Sequence, residues 1–383
     1  MKLIEIGINR QQPQGFKAFI PHPFPPQDNM DFPSNILIKN EKATRLIGKL
    51  DGVTKQLPDV DFFLLMYLRK DAASSSQIEG TVATMVDAIE AEIETINTNI
   101  PADVDDILHY IQAVNYGMKR VVEDNFPLTW RFIRELHEKL MHQARATHFS
   151  DPGEFRNSQN WIGGTRPDNA RFVPPPVAEM HTALSDLEKF LHTESTIPTV
   201  VKAGLIHAQF ETIHPFLDGN GRTGRMLITF YLWKENFLEY PVLFLSSYFK
   251  KHQEIYYEKL SSYHNGKVFD WLDFFLDGVI EIAHEAIGIV DKITKRREAD
   301  MQKIQMFGKR ATESAVPVLQ ELYKQPIVNN ALVQKWTGFT RAGAQTVINR
   351  FIEIEILTQK DKDKKYGQSY GYKEYIDIFV GND

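Results

Sequence analysis

The chain has 383 residues, a formal net charge of −6 and 43% hydrophobic residues, enough for a real core and for two or three domains. It contains no cysteine, which excludes disulfides, thiolate zinc sites and a cysteine nucleophile. No stretch reaches the length of a membrane span, the N-terminus lacks a basic stub with an apolar run, and the charge argues against coating nucleic acid. A cytoplasmic protein with no membrane partner is therefore expected.

The segment through Ser34 carries Pro13, Pro21, Pro23, Pro25, Pro26 and Pro33 and reads as an extended arm lying on the rest, because proline removes amide donors and fixes φ. From Val60 to Ile78 apolar residues recur at helical spacing, and Gly80 stops the helix. Thr81 reads as the cap of the next helix, with Val82, Met85, Val86, Ile89 and Ile93 along it, so two helices meet at Glu79-Gly80. Two more fall between Asp103 and Met141, the second capped by Thr129 over Trp130 to His142. The texture then changes: from Asp151 to Pro176, Gly153, Gly163, Gly164 and three successive prolines surround the apolar pairs Trp161-Ile162 and Phe172-Val173. This reads as a β-hairpin or irregular flap.

Helices resume at Val177 to Leu191, Thr199 to Ile213, Gly221 to Asn236, His252 to Tyr263 and Phe269 to Arg297, followed by a charged helical stretch near Lys295 to Arg310. A further helix, then Asn330 to Trp336, a turn at Gly338, a helix from Arg341 to Phe351, a polar tip at Lys360 to Lys365 and an aromatic strand-like piece at Tyr370 to Phe379 fit a winged helix-turn-helix. The expected fold is mainly α, in three parts: a proline-rich arm and N-terminal helical region over 1–100, a helical core with the flap over 101–300, and the winged helix-turn-helix over 301–383. The last part holds twelve basic and nine acidic residues and no acidic residue between Gln325 and Arg350. Arg341, Gln345, Asn349 and Arg350 on or beside its second helix make DNA a candidate partner, with protein interaction as the other reading.

The chemistry concentrates in the run from His214 to Arg225. Pro215 bars its predecessor from comfortable helical geometry, so the apolar helix before it breaks near His214 and leaves that histidine at a mouth. Gly219, Asn220 and Gly221 then turn backbone amides inward at the start of a new helix near Thr223, a cradle for phosphate. Arg222 and Arg225, three residues apart, share one side of the first turn and offer forked donors to phosphate oxygens. Asp218 is a hard oxygen ligand suited to Mg²⁺, and His214 suits removal of a proton from an attacking hydroxyl. These parts make a phosphoryl or nucleotidyl transfer site. His22-Pro23-Phe24, in the arm, repeats the first three residues of the run but has no cradle or arginines behind it.

The whole run resembles, at every defining position, the signature HPFx(D/E)GNGRxxR of the Fic family, and the likeness covers most of the chain. The resemblance implies an adenylyltransferase that moves AMP from ATP, with Mg²⁺, to a hydroxyl of a protein. His214 would be the base and Asp218 the metal ligand. Gly219, Asn220, Gly221, Arg222, Thr223, Gly224 and Arg225 would hold the phosphates, with Phe216 as a buried anchor. Tyr256 and Tyr257 match a tyrosine pair near the adenine of relatives, with packing as the alternative. The flap at Phe172-Val173 would align the target chain by strand addition. Ser75-Ser76-Gln77-Ile78-Glu79-Gly80 resembles the family's inhibitory motif (S/T)xxxE(G/N), in which Ser75 steadies the segment, Gly80 ends it and Glu79 pairs with Arg225. Partners implied are a protein substrate, self-modification and a second copy of the chain in a homodimer; removal of AMP from targets is the reverse activity some members show. A rival reading takes His207, Glu211 and His214, on one helix face, as a metal triad.

Overall fold

The computed structural model describes residues 3–26, 30–93, 101–142, 151–360 and 367–381. The N-terminal arm is shaped more than its prolines predict: Gly7–Gln11 (β1) and Lys17–Pro21 (β2) pair antiparallel. The turn between them has Pro13 at its second position and Gly15 at its fourth, with the Gly15 amide donating to the Gln12 carbonyl at 3.0 Å. The arm lies on the body, as expected. Its Phe19 amide donates to the Val173 carbonyl at 2.9 Å, and Arg10 pairs with Glu179.

The N-terminal helices follow in order: α1 (Ser34–Thr54), α2 (Asp61–Ile78), α3 (Met85–Ile93) and α4 (Ala102–Asp124). The cap of α3 is Thr84 rather than Thr81, since the Thr84 hydroxyl and amide both engage Asp87 while the Thr81 hydroxyl turns to Asp106 at 3.4 Å. The expected division at 100 lies outside the described residues.

Thr129 caps α5 (Trp130–Met141), its hydroxyl accepting from the Phe132 amide. After the flap come α6 (Val177–His192), α7 (Thr199–Ile213), α8 (Asn220–Lys234), α9 (Ser246–Lys251), α10 (Gln253–His264) and α11 (Val268–Gln305). α7 is the axis of the molecule: every residue from Val200 to Ile213 is buried, as a helix apolar on all sides must be. Trp271 of α11 donates from its indole to the Gly204 carbonyl of α7 at 2.8 Å. The flap carries only one isolated bridge, Ile162 with Phe172, so its irregular form prevails over a regular hairpin.

The two charged pieces expected around Lys295 are one helix, α11, which runs to Gln305. Beyond it lie α12 (Lys309–Lys324), β3 (Ile327–Asn329), α13 (Asn330–Thr337), α14 (Arg341–Glu353), β4 (Thr358–Gln359), β5 (Ser369–Gly371) and α15 (Lys373–Val380), with the strands in the antiparallel order β3-β5-β4. The polar tip at 361–366 lies outside the described residues. The aromatic piece from Tyr370 to Phe379 is strand only at its start and helix from Lys373. Tyr372, Tyr375, Ile376 and Phe379 are buried at the 3.6-residue period, which overrides the β-propensity of their rings.

α2 is held from both ends. At its middle, Arg69 is clamped by Glu92 at 2.6 Å, the Lys324 carbonyl at 2.8 Å and Gln325 Oε1 at 3.0 Å, while near its start the Tyr375 hydroxyl donates to the Phe62 carbonyl. Its far end runs into the cavity described next. No described helix is long and apolar enough to cross a membrane.

Candidate active site

α7 ends where Pro215 forces it to: the His214 amide donates to the Phe210 carbonyl at 2.9 Å, and His214 itself sits at φ 49°, ψ 61°, in the left-handed region. The turn that follows folds over Phe216, which is fully buried and stacked on the His137 ring at 3.7 Å between centroids. Asn220 closes the loop with its side chain, its Oδ1 accepting from the Phe216 amide and its Nδ2 donating to the Phe216 carbonyl, both at 2.8 Å. Gly219, at φ 74°, has no room for a Cβ, which would strike Met141 Sδ at 2.7 Å.

α8 begins at Asn220, one residue before the helical pattern read from Gly221 and three before Thr223, so the cradle is the first turn of the helix itself. Thr223 is the first residue whose amide finds a carbonyl a turn back, that of Gly219 at 3.0 Å. The amides of Asn220, Gly221 and Arg222 precede it at the positive end of the helix. Asn220 and Gly221 line a cavity of about 460 Å³ whose walls also include Glu79, His214, Asp218, Gly219, Arg225, Tyr256 and Tyr257, with Trp161 and Phe172 of the flap at its rim.

The two arginines part company. Arg225 faces the cavity, donating from Nε to Ser75 Oγ at 2.8 Å and from Nη2 to the Ser75 carbonyl at 2.9 Å and Glu79 Oε1 at 2.8 Å. Burial is the largest influence and opposes its charge, but Glu79, Tyr256 and Glu211 together raise its pKa. Arg222 turns the other way, with Nη2 3.5 Å from Met141 Sδ and Nη1 3.7 Å from Asp106 Oδ1. The spacing of three residues left both side chains free to reach a phosphate, and packing against α4 and α5 takes one of them; Arg222 keeps only its backbone amide at the cradle. Thr223 and Gly224 also lie behind the lining, Thr223 fully buried and the Gly224 carbonyl 3.0 Å from His207 Nδ1. A Cβ on Gly221 would run into the Glu79 carboxylate and the Arg225 guanidinium.

His207 is no metal ligand here. Its ring nitrogens are spent on the Gly224 carbonyl and, at 2.9 Å, on the Tyr256 hydroxyl, and no group of three metal-binding side chains occurs among the described residues. The same contact makes Tyr256 a packing partner, whereas Tyr257 stands half-exposed at the cavity with the Arg171 guanidinium 6.0 Å above its ring. Gly80, at φ 98°, only ends the helix that presents Glu79. In the flap, the Phe172 amide and carbonyl both pair with Ile162 and the Val173 carbonyl takes Phe19, so strand addition at Phe172-Val173 meets an occupied edge.

Three residues invisible to the sequence reading support the turn. Arg156 and Asn160 donate to the His214 carbonyl at 3.0 and 3.1 Å, and His137 Nε2 lies 2.9 Å from the Asp218 carbonyl. Their partners are main-chain oxygens, which leave no pattern of residue types to read.

Burial depresses His214 to a pKa of about 4, with the Arg156 charge adding to it, and depresses His207 and His264 to about 3. Burial raises Glu211 to about 8. Unfolded histidines take up protons near pH 6.5 while these three and His137, which burial holds at about 4, do not when folded, so stability falls as pH drops below about 6.5. Glu211 acts in the opposite sense, losing stability as pH rises from its unfolded range towards 8, and the raised carboxyls of Asp61, Asp71 and Asp300 act in its direction, but the four histidines are the groups whose unfolded titration falls between pH 7 and pH 5. The midpoint of thermal unfolding is therefore expected to fall between pH 7 and pH 5, with a shallower slope in a His264→Asn variant. A midpoint that rises on acidification would contradict this balance.

Two family models match the chain: the Fic/DOC family over residues 127–232 and the Fic/DOC family N-terminal region over residues 37–119. The protein adenylyltransferase Fic of Aedes aegypti is 29% identical over 177 residues, covering 45% of this chain and 32% of that protein. The protein of the same name from Drosophila melanogaster is 28% identical over 243 residues, covering 61% of this chain and 44% of that one. The chain thus spans less than half the length of these relatives. Among solved structures, a Fic family protein from Desulfovibrio desulfuricans G20 shares the fold with a TM-score of 0.57 at 19% identity, covering 90% of this chain and 98% of that one. A Fic domain containing signaling protein from Bacteroides thetaiotaomicron does so with a TM-score of 0.52 at 21% identity, covering 68% and 97%.

Proposed function

Since the chain belongs to the Fic/DOC family, we propose that it transfers AMP from ATP to a side-chain hydroxyl of a protein, itself among the acceptors, and that Glu79 restrains it. The observation that carries this reading is the joint placement, around one cavity, of His214, the first turn of α8 and Arg225. At neutral pH the buried His214 is uncharged and free to accept a proton. The acceptor oxygen attacks the α-phosphorus, His214 takes the hydroxyl proton, and the bond to the bridging oxygen breaks with pyrophosphate leaving. The amides of Asn220, Gly221 and Arg222 stabilise negative charge on the phosphates, and Arg225 holds the γ-phosphate once Glu79 releases it.

Asp218 fits a Mg²⁺ site: it is an exposed carboxylate at the mouth, with Oδ1 fixed by the Gly219 amide at 2.6 Å, and Mg²⁺ commonly combines one or two carboxylates with substrate phosphates and water. When bound, the ion neutralises phosphate charge. For the target chain, the Trp161 to Gly163 side of the flap is the docking edge we favour, because the other side already holds the N-terminal arm.

The C-terminal unit we read as a winged helix. Two of its candidate base-reading groups are engaged locally, Gln345 Nε2 donating to Asn349 Oδ1 at 3.0 Å and Asn330 Nδ2 to Gln345 Oε1 at 3.0 Å, and DNA binding is not the primary reading. The test of the enzymatic reading is a pair of labels. Incubated with Mg²⁺, lysate protein and ATP, the chain is expected to transfer label from the α-phosphate and not from the γ-phosphate; transfer of the γ-label alone would make it a kinase.

A further inference from the structure

His214 occupies a backbone conformation that residues other than glycine rarely adopt, and something must hold it there. Four successive carbonyls of the turn are taken by donors from the first arm of the flap. Arg156 Nη2 donates to the Ile213 carbonyl at 3.4 Å, Arg156 Nε and Asn160 Nδ2 to that of His214 at 3.0 and 3.1 Å, the Arg156 amide to that of Pro215 at 2.9 Å, and Asn160 Nδ2 to that of Phe216 at 2.9 Å. The same guanidinium reaches both roots of the flap, through Nη1 to the Ser158 carbonyl at 3.0 Å and Nη2 to the Pro175 carbonyl at 2.5 Å. Arg156 is 1% exposed, and all its side-chain hydrogen bonds go to main-chain oxygens. A buried arginine without a carboxylate is costly to keep, and forked geometry is what it offers that lysine cannot.

We propose that Arg156 is the positioning residue of this site, holding the His214 turn in its left-handed form and joining it to both ends of the flap. It is absent from the cavity lining, so its action on the reaction passes through His214 and not through ATP. A target chain seated on the flap loads the strand ends that Arg156 grips, and the grip carries that load to the base. The inference rests on the AMP-transfer reading for its catalytic consequence, while the restraint on His214 can be observed without turnover.

The experiment compares Arg156→Ala, Arg156→Lys and Asn160→Ala, each in the Glu79→Gly background so that the restraint by Glu79 is absent. Three quantities are read: the turnover of α-labelled ATP, the KM for ATP, and the ¹H–¹³C resonance of the His214 imidazole, assigned by its loss in His214→Ala. For Arg156→Ala we expect turnover to fall about 10²-fold, the cost of misplacing a reacting group by about an ångström, with KM for ATP within about twofold of the parent. Arg156→Lys, which keeps the charge and part of the donor set, should recover part of that loss, and Asn160→Ala should fall in the same direction by less. The His214 resonance should shift or broaden in Arg156→Ala. An unchanged resonance with unchanged turnover, or a rise in KM that matches the loss in rate, would overturn the proposal. Should the parent transfer no label, the AMP-transfer reading fails, and the resonance alone decides whether Arg156 restrains His214. Should Arg156→Ala not fold, the same resonance and KM criteria apply to Arg156→Lys and Asn160→Ala.

Discussion

Replacing His214 by alanine is expected to lower AMP transfer about 10²–10⁴-fold, the usual contribution of a general base. The imidazole is kept neutral at physiological pH, with burial as the larger cause and the Arg156 charge as the second; His264 also lines the cavity and is neutral, but its Nε2 lies 3.0 Å from the Thr212 hydroxyl. Glu211, 3.7 Å from His214 Nδ1, does not replace it, because burial pushes its own pKa up to about 8 and leaves it mostly protonated. The phosphate seat is made by α8 and Arg225, so ATP affinity should survive the substitution. Single-turnover labelling with α-labelled ATP, beside a direct ATP titration, separates the two. Equal labelling by wild type and His214→Ala would remove the histidine from the mechanism.

The second large effect concerns Glu79 and Arg225. The guanidinium is nearly sealed, with 2% of its side chain exposed, while Glu79 is 38% exposed. Three hydrogen bonds from Arg225 to Ser75 and Glu79 compete with a γ-phosphate for the same donors. A charged hydrogen bond contributes about 1.5–3 kcal/mol. Taken near its lower end for the exposure of Glu79, that corresponds to about a tenfold rise in transfer for Glu79→Gly. The fold should hardly notice, since the carboxylate is partly in water and ATP supplies another anion to Arg225. Arg225→Ala should lose activity in either background, because it removes the phosphate ligand along with the pair. Labelling rates for wild type, Glu79→Gly, Arg225→Ala and the double variant test this. An unchanged or lower rate in Glu79→Gly would make the motif helix punctuation only.

Much of this was legible in the sequence where function depends on residue type at fixed spacing. The boundaries of α7 follow from a mostly apolar run that Pro215 terminates, and the approach of Ser75 and Glu79 to Arg225 follows from two motifs, though they lie far apart in the chain. What stayed hidden depends on tertiary context. Spacing could not tell that Asp106 and Met141 would draw Arg222 out of the cavity. Arg156 and Asn160 lie in an aperiodic stretch and bind carbonyls, which every residue has. The pairing within the arm was missed for a different reason: its prolines masked a turn that Pro13 and Gly15 announce, and the pairing of Phe19 with Val173 needs the flap in place.

Gly221 carries a consequence for how such a protein can change over generations. The same missing side chain that gives phosphates access to the helix end also leaves room for the Glu79 carboxylate beside Arg225. Any heavier residue at 221 disturbs brake and engine together, so a lineage under pressure to become permanently active finds no profitable step there. On the proposed reading, one substitution at Glu79 would release the brake and spare the rest. The restraint is thus easy to lose by mutation while the machinery it restrains is not, and variants of this chain that have escaped control should carry their change in the helix of Ser75 and Glu79, with the glycine intact.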